Sequence, residues 1–293
     1  MIKPIAETHA HLSLDSVNYN TAIRRHLANP CEEHIRSALE SYSNAGVTYL
    51  RDGGDHLGVA LRAREISGEY GIKIVCPAFP IHRKGYYGSI LGRAYDSLAS
   101  YRVLVAEAKK QGADFIKLFA SGLLDFSVYG RIMQQGPMED DEAKEMVKIA
   151  HGEGLSVMAH ANGGERAAML IQAGIDSIEH GYYLGKDTLD LLAGSNCCWV
   201  PTLAPVGNII DSGAFEKSVL EKIYYGQLEA VAYGIEEGAI IAPGSDAGAY
   251  LVSHGSGIAD EWAHLSNTGV DHAALENCLC EGEKFIIENF KRK

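Results

Sequence analysis

Glycine recurs in this chain at one position in the pattern, where a helical stretch gives way to a strand-like one. It does so in Ala45-Gly46-Val47, Tyr70-Gly71-Ile72, Gln111-Gly112-Ala113, Ala173-Gly174-Ile175 and Glu237-Gly238-Ala239. A residue just past a helix end often takes the left-handed conformation, which glycine enters without a Cβ clash. The repeats therefore mark successive helix-to-strand hand-overs. Strand patterns cover Ile2–His9, Val47–Arg51, Ile72–Phe79, Asp114–Phe119, Ser156–His160, Ile175–His180, Cys198–Thr202 and Ala239–Pro243. Between them run amphipathic helical patterns. One spans Glu139–Glu153, with Ala143, Met146, Val147 and Ala150 on one face; another spans Val219–Glu237. Eight strands alternating with helices predict an α/β fold, a (β/α)8 TIM barrel formed by residues 1–293 as one domain. The competing open, doubly wound sheet would carry a G-x-G-x-x-G run after its first strand, and none is there. The segments 82–93 and 121–137 are expected as loops over the barrel mouth.

In such a barrel, side chains at the C-terminal ends of the strands converge on one mouth. His9 and His11 stand at the end of strand 1, two apart and so on one face. Lys117 lies near the end of strand 4, His160 ends strand 5, His180 ends strand 6, and Asp246 follows strand 8. Neutral imidazoles and carboxylates suit zinc and similar cations. The four histidines and the aspartate can hold one metal or share two. Lys117 admits two readings. As an ordinary ammonium paired with Asp246 it implies a single metal. Carboxylated by CO₂, it becomes an anion able to bridge two.

Composition narrows the partners. With 26 basic and 38 acidic residues the chain carries a formal charge of −12, which argues against nucleic acid. No apolar run reaches the roughly 18 residues of a membrane span, and the N-terminus opens on a strand rather than a signal peptide. A cytoplasmic location, a small-molecule substrate and no membrane or nucleic-acid partner are expected; self-assembly into a homo-oligomer is compatible with the sequence. Cys31, Cys76, Cys197, Cys198, Cys278 and Cys280 are expected as reduced structural thiols.

The motifs Glu7-Thr8-His9-Ala10-His11, Gly46-Val47-Thr48-Tyr49-Leu50-Arg51-Asp52, Phe115-Ile116-Lys117-Leu118-Phe119, Ala159-His160-Ala161-Asn162-Gly163, Ser177-Ile178-Glu179-His180-Gly181 and Pro243-Gly244-Ser245-Asp246 resemble the amidohydrolase superfamily of metal-dependent hydrolases. The resemblance spans nearly the whole chain. It is strongest toward the branch of imidazolonepropionase-type enzymes and Xaa-Pro or arginine-directed dipeptidases. It implies two divalent cations, zinc foremost. His9, His11 and Asp246 would hold the more buried one, His160 and His180 the second, and an N6-carboxylated Lys117 would bridge them. It also implies amide hydrolysis by a metal-bridging hydroxide, with Asp246 as catalytic proton carrier. The substrate would be an N-acyl amino acid, a dipeptide or a cyclic amide.

Three departures stand out. Glu7 occupies a position where many members have Asp. Asn162 stands where several dipeptidase-like members have a tyrosine. The accessory β-sandwich of most relatives is apparently absent, which would expose the barrel base or leave it to a partner subunit. Two other activities on the same fold compete. A mononuclear deaminase would carry a Glu three after the strand-5 histidine, whereas here Glu165 comes five after His160. A lactonase or phosphoesterase would use the same metals. A metal-binding protein without catalysis is the alternative outside enzymes, and it sits poorly with a full ligand set. Substrate contacts are expected from the loops, at His82, Arg83 and Tyr129. Together with Lys84, Tyr86 and Tyr87 these predict a preference for small amides bearing a carboxylate.

Overall fold

All five hand-over glycines take positive φ: 82° at Gly46, 70° at Gly71, 86° at Gly112, and 84° at both Gly174 and Gly238. The alternation they announce is the one the chain adopts. A computed structural model describes residues 6–291, so the Ile2–Ile5 part of the first predicted strand lies outside the described residues. Strands β1 (Ala6–Ala10), β2 (Tyr49–Asp52) and β3 (Lys73–Val75) form one parallel sheet in the order β1-β2-β3. The second sheet holds β4 (Pro80–Arg83), β5 (Arg93–Tyr95), β6 (Ile116–Phe119), β9 (Val157–Ala161), β10 (Ser177–His180), β11 (Cys198–Val200) and β12 (Ile240–Ile241). Its order is β12-β11-β10-β9-β6-β4-β5, again parallel throughout. A small antiparallel pair, β7 (Leu123–Leu124) with β8 (Ile132–Met133), lies within the predicted 121–137 loop.

Helices α1 (Tyr19–His26), α2 (Glu32–Ala45), α3 (Val59–Ile66), α4 (Leu98–Lys110), α5 (Asp140–Gly152) and α6 (Gly164–Gln172) intervene between strands. So do α7 (Lys186–Ala193), α8 (Ala204–Gly207) and α9 (Lys217–Glu236), while α10 (Gly257–Leu265) and α11 (His272–Asn289) follow β12. The main core lies between this helical layer and the second sheet, with Ile116, Leu118, Ile178 and Trp199 of the strands buried against Val147, Leu170 and Val231 of the helices.

Of the predicted third strand, Ile72–Phe79, only β3 forms; β4 starts past its end and takes in His82 and Arg83 from the segment expected as a loop. Pro77 has no N–H to give to a ladder. Just before it, the Cys76 backbone turns to Asp114: Cys76 N donates to Asp114 Oδ2 (3.0 Å) and Asp114 N donates to Cys76 O (3.0 Å). The break assigns β3 to the first sheet and β4 to the second. The far ends of the two sheets also meet. Thr8 Oγ1 donates to Pro243 O (2.8 Å), Asp246 N to His9 O (2.7 Å) and His11 N to Ala247 O (2.8 Å).

The base of the strands is not bare. Ile286 in α11 and Phe290 just after it are fully buried with Tyr49, Val75, Phe115 and Met158. The Phe290 ring packs edge-on to Phe115, centroids 5.4 Å apart, and lies 4.4 Å from the Arg51 guanidinium carbon. The expectation of a base left open or covered by a partner is thus corrected: the chain's own last helix covers it. The cysteines form no disulfide among the described residues, and no described helix is long and apolar enough to cross a membrane.

Candidate metal centre

At the C-terminal end of β1, His9 and His11 meet Asp246 from the segment after β12. Asp246 Oδ1 lies 3.5 Å from His9 Nε2 and 3.4 Å from His11 Nε2. Ligand atoms of the three residues all lie within 4.8 Å of one another. The close approach of His11 needs Gly53 after β2, where an added Cβ would fall 2.4 Å from the imidazole. Two further histidines continue the array. The His180 ring is 4.9 Å from that of His9 and 4.5 Å from that of His160, centroid to centroid.

Each of three rings is held by the nitrogen turned away from the cluster. His9 Nδ1 donates to Glu179 Oε2 (2.6 Å), which fixes the tautomer and leaves the Nε2 lone pair toward Asp246. His160 Nε2 donates to Gly122 O (3.0 Å), leaving Nδ1 free, and His180 Nδ1 lies 2.7 Å from the Thr202 hydroxyl. His9 Nε2 and His11 Nδ1 are buried without a hydrogen-bond partner. Buried polar nitrogens are normally satisfied; the unpartnered His9 Nε2 lone pair facing the Asp246 carboxylate fits a cation in that space.

Burial, then the Lys117 charge, lowers both His11 and His160 to about 3. His9 is held well below its ordinary range by the same two causes, and His180 by burial and then by His160. All four imidazoles are neutral at pH 7, the state that binds metals. Lys117 is fully buried, and its Nζ has no hydrogen-bond partner. Burial pushes it down to about 8 against the pull of Glu179 and Asp246. Burial in turn raises Asp246 to about 7, with Lys117 opposing.

The backbone is strained where these ligands emerge. His180, Thr202 and Asp246 have φ of 68°, 48° and 58°, a region that residues with a Cβ rarely enter. At His180 the strain has a visible result. Strict alternation along β10 would point it away from the side on which Ser177 and Glu179 lie, and the positive φ turns it back toward the other histidines.

Beneath the histidines lies a network that strand patterning alone does not reveal. Arg51 Nη2 donates to both oxygens of Glu179 (2.9 Å each), Arg51 Nη1 to Ser177 Oγ (2.9 Å) and Arg51 Nε to Thr8 O (2.6 Å). Both charged side chains are fully buried. Glu7, raised to about 7 by burial despite hydrogen bonds from Ser245 and His9, accepts from Ser245 N (2.9 Å) and Ser245 Oγ (2.5 Å). It thereby ties β1 to the segment that presents Asp246.

Above the centre opens a cavity of about 720 Å³, with His11, Lys117, His160, His180 and Asp246 on its floor. His82, Arg83 and Tyr129 are not among the residues lining it. His82 is buried and its Nδ1 donates to Arg83 O (2.9 Å). Arg83 pairs with Glu142 (2.6 Å), and Tyr129 stacks edge-on against Tyr183 at 5.4 Å. The Asp55 carboxylate caps the start of α3, accepting from Val59 N (3.0 Å) and Ala60 N (2.9 Å).

The sequence signature of the Amidohydrolase family matches residues 5–279, and the chain belongs to that family. An uncharacterised protein of Mycobacterium tuberculosis is 33% identical over 190 residues, 62% of this chain and 50% of that protein. Ochratoxinase of Aspergillus niger is 28% identical over 193 residues, 64% of this chain and 38% of that enzyme. Its crystal structure superposes with a TM-score of 0.74 at 18% identity, over 96% of this chain and 70% of that one. A Xaa-Pro dipeptidase with methionine bound in its active site gives 0.74 at 23% identity, over 97% and 75%. The chain spans about half the length of the first curated relatives it matches.

Proposed function

From membership of the amidohydrolase family, we propose that this chain is a metal-dependent hydrolase of an amide bond in a small-molecule substrate. The observation that carries the reading is the convergence of His9 and His11 on Asp246, with the His9 lone pair oriented from behind by Glu179. The relatives support the same class, since ochratoxinase and the Xaa-Pro dipeptidase are hydrolases by name. We read the backbone bonds from Thr8, His9 and His11 to residues 243–247 as the seam that closes a (β/α)8 barrel.

In this reading His9, His11 and Asp246 hold one divalent cation, while His160 and His180 hold a second; zinc suits their nitrogen and oxygen donors. Such cations supply Lewis-acid polarisation of the scissile carbonyl and a lowered pKa for the attacking water. Lys117, carboxylated on its amine, would add an anionic carbamate to the donors available to that pair. Its buried amine lies close enough to neutrality for the free base to add to CO₂; loss of one proton then leaves a single negative charge. The modification removes an unpartnered buried ammonium, a costly group, from among four imidazoles.

Asp246 faces the cavity beside His9 and His11, where it takes the proton of the attacking water and returns it to the departing amine nitrogen. Glu179 and Arg51 hold His9 in one tautomer. The deaminase alternative lacks its proton carrier, because Glu165 is exposed in the first turn of α6 and does not line the cavity. A cytoplasmic location belongs to the same reading.

The test is hydrolysis of an amide panel by zinc-loaded protein and by Asp246→Asn. The amide is nearly isosteric, so the fold should persist while turnover falls roughly 10²-fold or more. Turnover within a few-fold of the parent would place the proton carrier elsewhere.

A further inference from the structure

The walls of the cavity say what kind of amide the floor can reach. Among the described residues that line it, Lys117 on the floor is the one lysine, and there is no arginine. The nearby arginines do not line it: Arg83 pairs with Glu142, Arg131 with Asp125, and Arg166 of α6 donates from Nη2 to Gly136 O while its Nη1 has no hydrogen-bond partner. Asn162, whose Nδ2 lies 3.4 Å from His160 Nε2, is also spent. Its Oδ1 accepts from Tyr182 N (3.1 Å) and its Nδ2 donates to Gly122 O (3.2 Å).

Apart from Asn18, Ser89, Gln134 and Thr202, none of them charged, the rest of the lining is mostly apolar and aromatic. Phe126, from the β7–β8 loop, and Phe215, from the loop between α8 and α9, meet edge-on with centroids 5.3 Å apart and lean over the cavity from separate segments. At the rim, large apolar side chains that also line the cavity stand in solvent: Val17 is 72% exposed, Tyr19 53%, Tyr250 49% and Ile90 42%. Exposed apolar side chains grouped around an opening mark a surface that something apolar covers. A polar substrate would leave that rim in water.

We infer that this site selects amides that are uncharged on both sides of the scissile bond and carry apolar or aromatic groups reaching the rim, and that it disfavours a free carboxylate there. The inference rests on the hydrolase reading and replaces the carboxylate preference expected from the loop sequence. A carboxylate entering this cavity would be desolvated without an arginine or lysine on the wall to receive it, and would approach a protein of formal charge −12. Aromatic groups gain against Tyr19, Phe126, Phe215 and Tyr250 of the lining.

The test uses zinc-loaded protein and matched pairs of N-acyl phenylalanine derivatives, one member with a free carboxylate and the other its methylamide. Turnover is read as kcat/KM. Binding is read by calorimetry on the corresponding sulfonamides, which are not hydrolysed. The expected result is a preference for the neutral member of at least about tenfold in both readings. Phe215→Arg or Tyr250→Arg, both at half-exposed rim positions, should narrow that ratio by giving the carboxylate a partner. Equal or tighter binding of the carboxylate member overturns the inference. So does a ratio unmoved in both arginine variants when their thermal melts match the parent. If the sulfonamides bind with neutral preference and no amide of either kind is cleaved, the hydrolase reading fails and the selectivity inference stands.

Discussion

The ion pair under His9 gives the sharpest perturbation. Glu179 accepts from Arg51, Ser177 and His9, all at 2.5–2.9 Å and all buried. In Glu179→Leu the guanidinium stays in the interior with only Thr8 O and Ser177 Oγ as acceptors. Removing one partner of a buried pair costs about 3–5 kcal/mol, chiefly through the stranded charge. With an unfolding entropy of about 2.1 cal/mol/K per residue, a chain of 293 residues has about 0.6 kcal/mol/K, so the loss corresponds to a fall in Tm of roughly 5–8 °C. The double replacement Arg51→Met/Glu179→Leu removes both charges and should recover a large part of that stability. His9 behaves differently, because neither variant restores the acceptor on its Nδ1. Loss of such an outer partner typically weakens metal binding by about 10–100-fold. Denaturant melts of the metal-free proteins and competition against a zinc chelator read the two effects separately. A single variant within 1 kcal/mol of the parent, or a double variant that regains full metal affinity, would refute the assignment of Glu179 to both tasks.

Two further outcomes follow from the same geometry. Lys117→Ala should lower metal content and activity together, with partial rescue of both by added short carboxylic acids; full metal and full activity without them would rule out a bridging lysine. Glu283, buried in α11 away from the metal centre, is raised to about 7 by burial. An acid whose folded pKa lies above its unfolded value stabilises the fold below the unfolded pKa, near 4.5, and loses that contribution as pH rises through 7. Glu283→Gln should therefore gain on the parent between about pH 4.5 and 7, by an amount on the order of 3 kcal/mol; a gap in denaturant stability that does not change with pH would contradict it.

What the sequence shows and what it hides divide along physical lines. His9, His11, His160, His180 and Asp246 are legible because strand periodicity and strand ends are local properties. The hand-over glycines are legible for the same reason, since a positive φ is written in one residue. Glu179 is hidden. A carboxylate one residue before a ligand histidine looks like an outward neighbour until the φ of His180 breaks the alternation. Arg51, 128 residues away from it in sequence, becomes its partner only when β2 and β10 share one interior. His82, Arg83 and Tyr129 fail to reach the cavity for the converse reason. His82 and Arg83 fall in β4 rather than in a loop, and Arg83 follows a long-range partner, Glu142, which no period announces. The helical stripe of α11 shows which face is apolar but not that Ile286 and, past its end, Phe290 turn under the strands.

The number of cations at the centre decides most directly between a paired and a single metal site. Elemental analysis of protein purified without chelator, with added zinc and bicarbonate, should give about two divalent ions per chain, since six donor groups exceed what one tetrahedral ion takes. A value that stays near one, whatever metal and bicarbonate are supplied, would contradict the paired centre and the carbamate at Lys117 together.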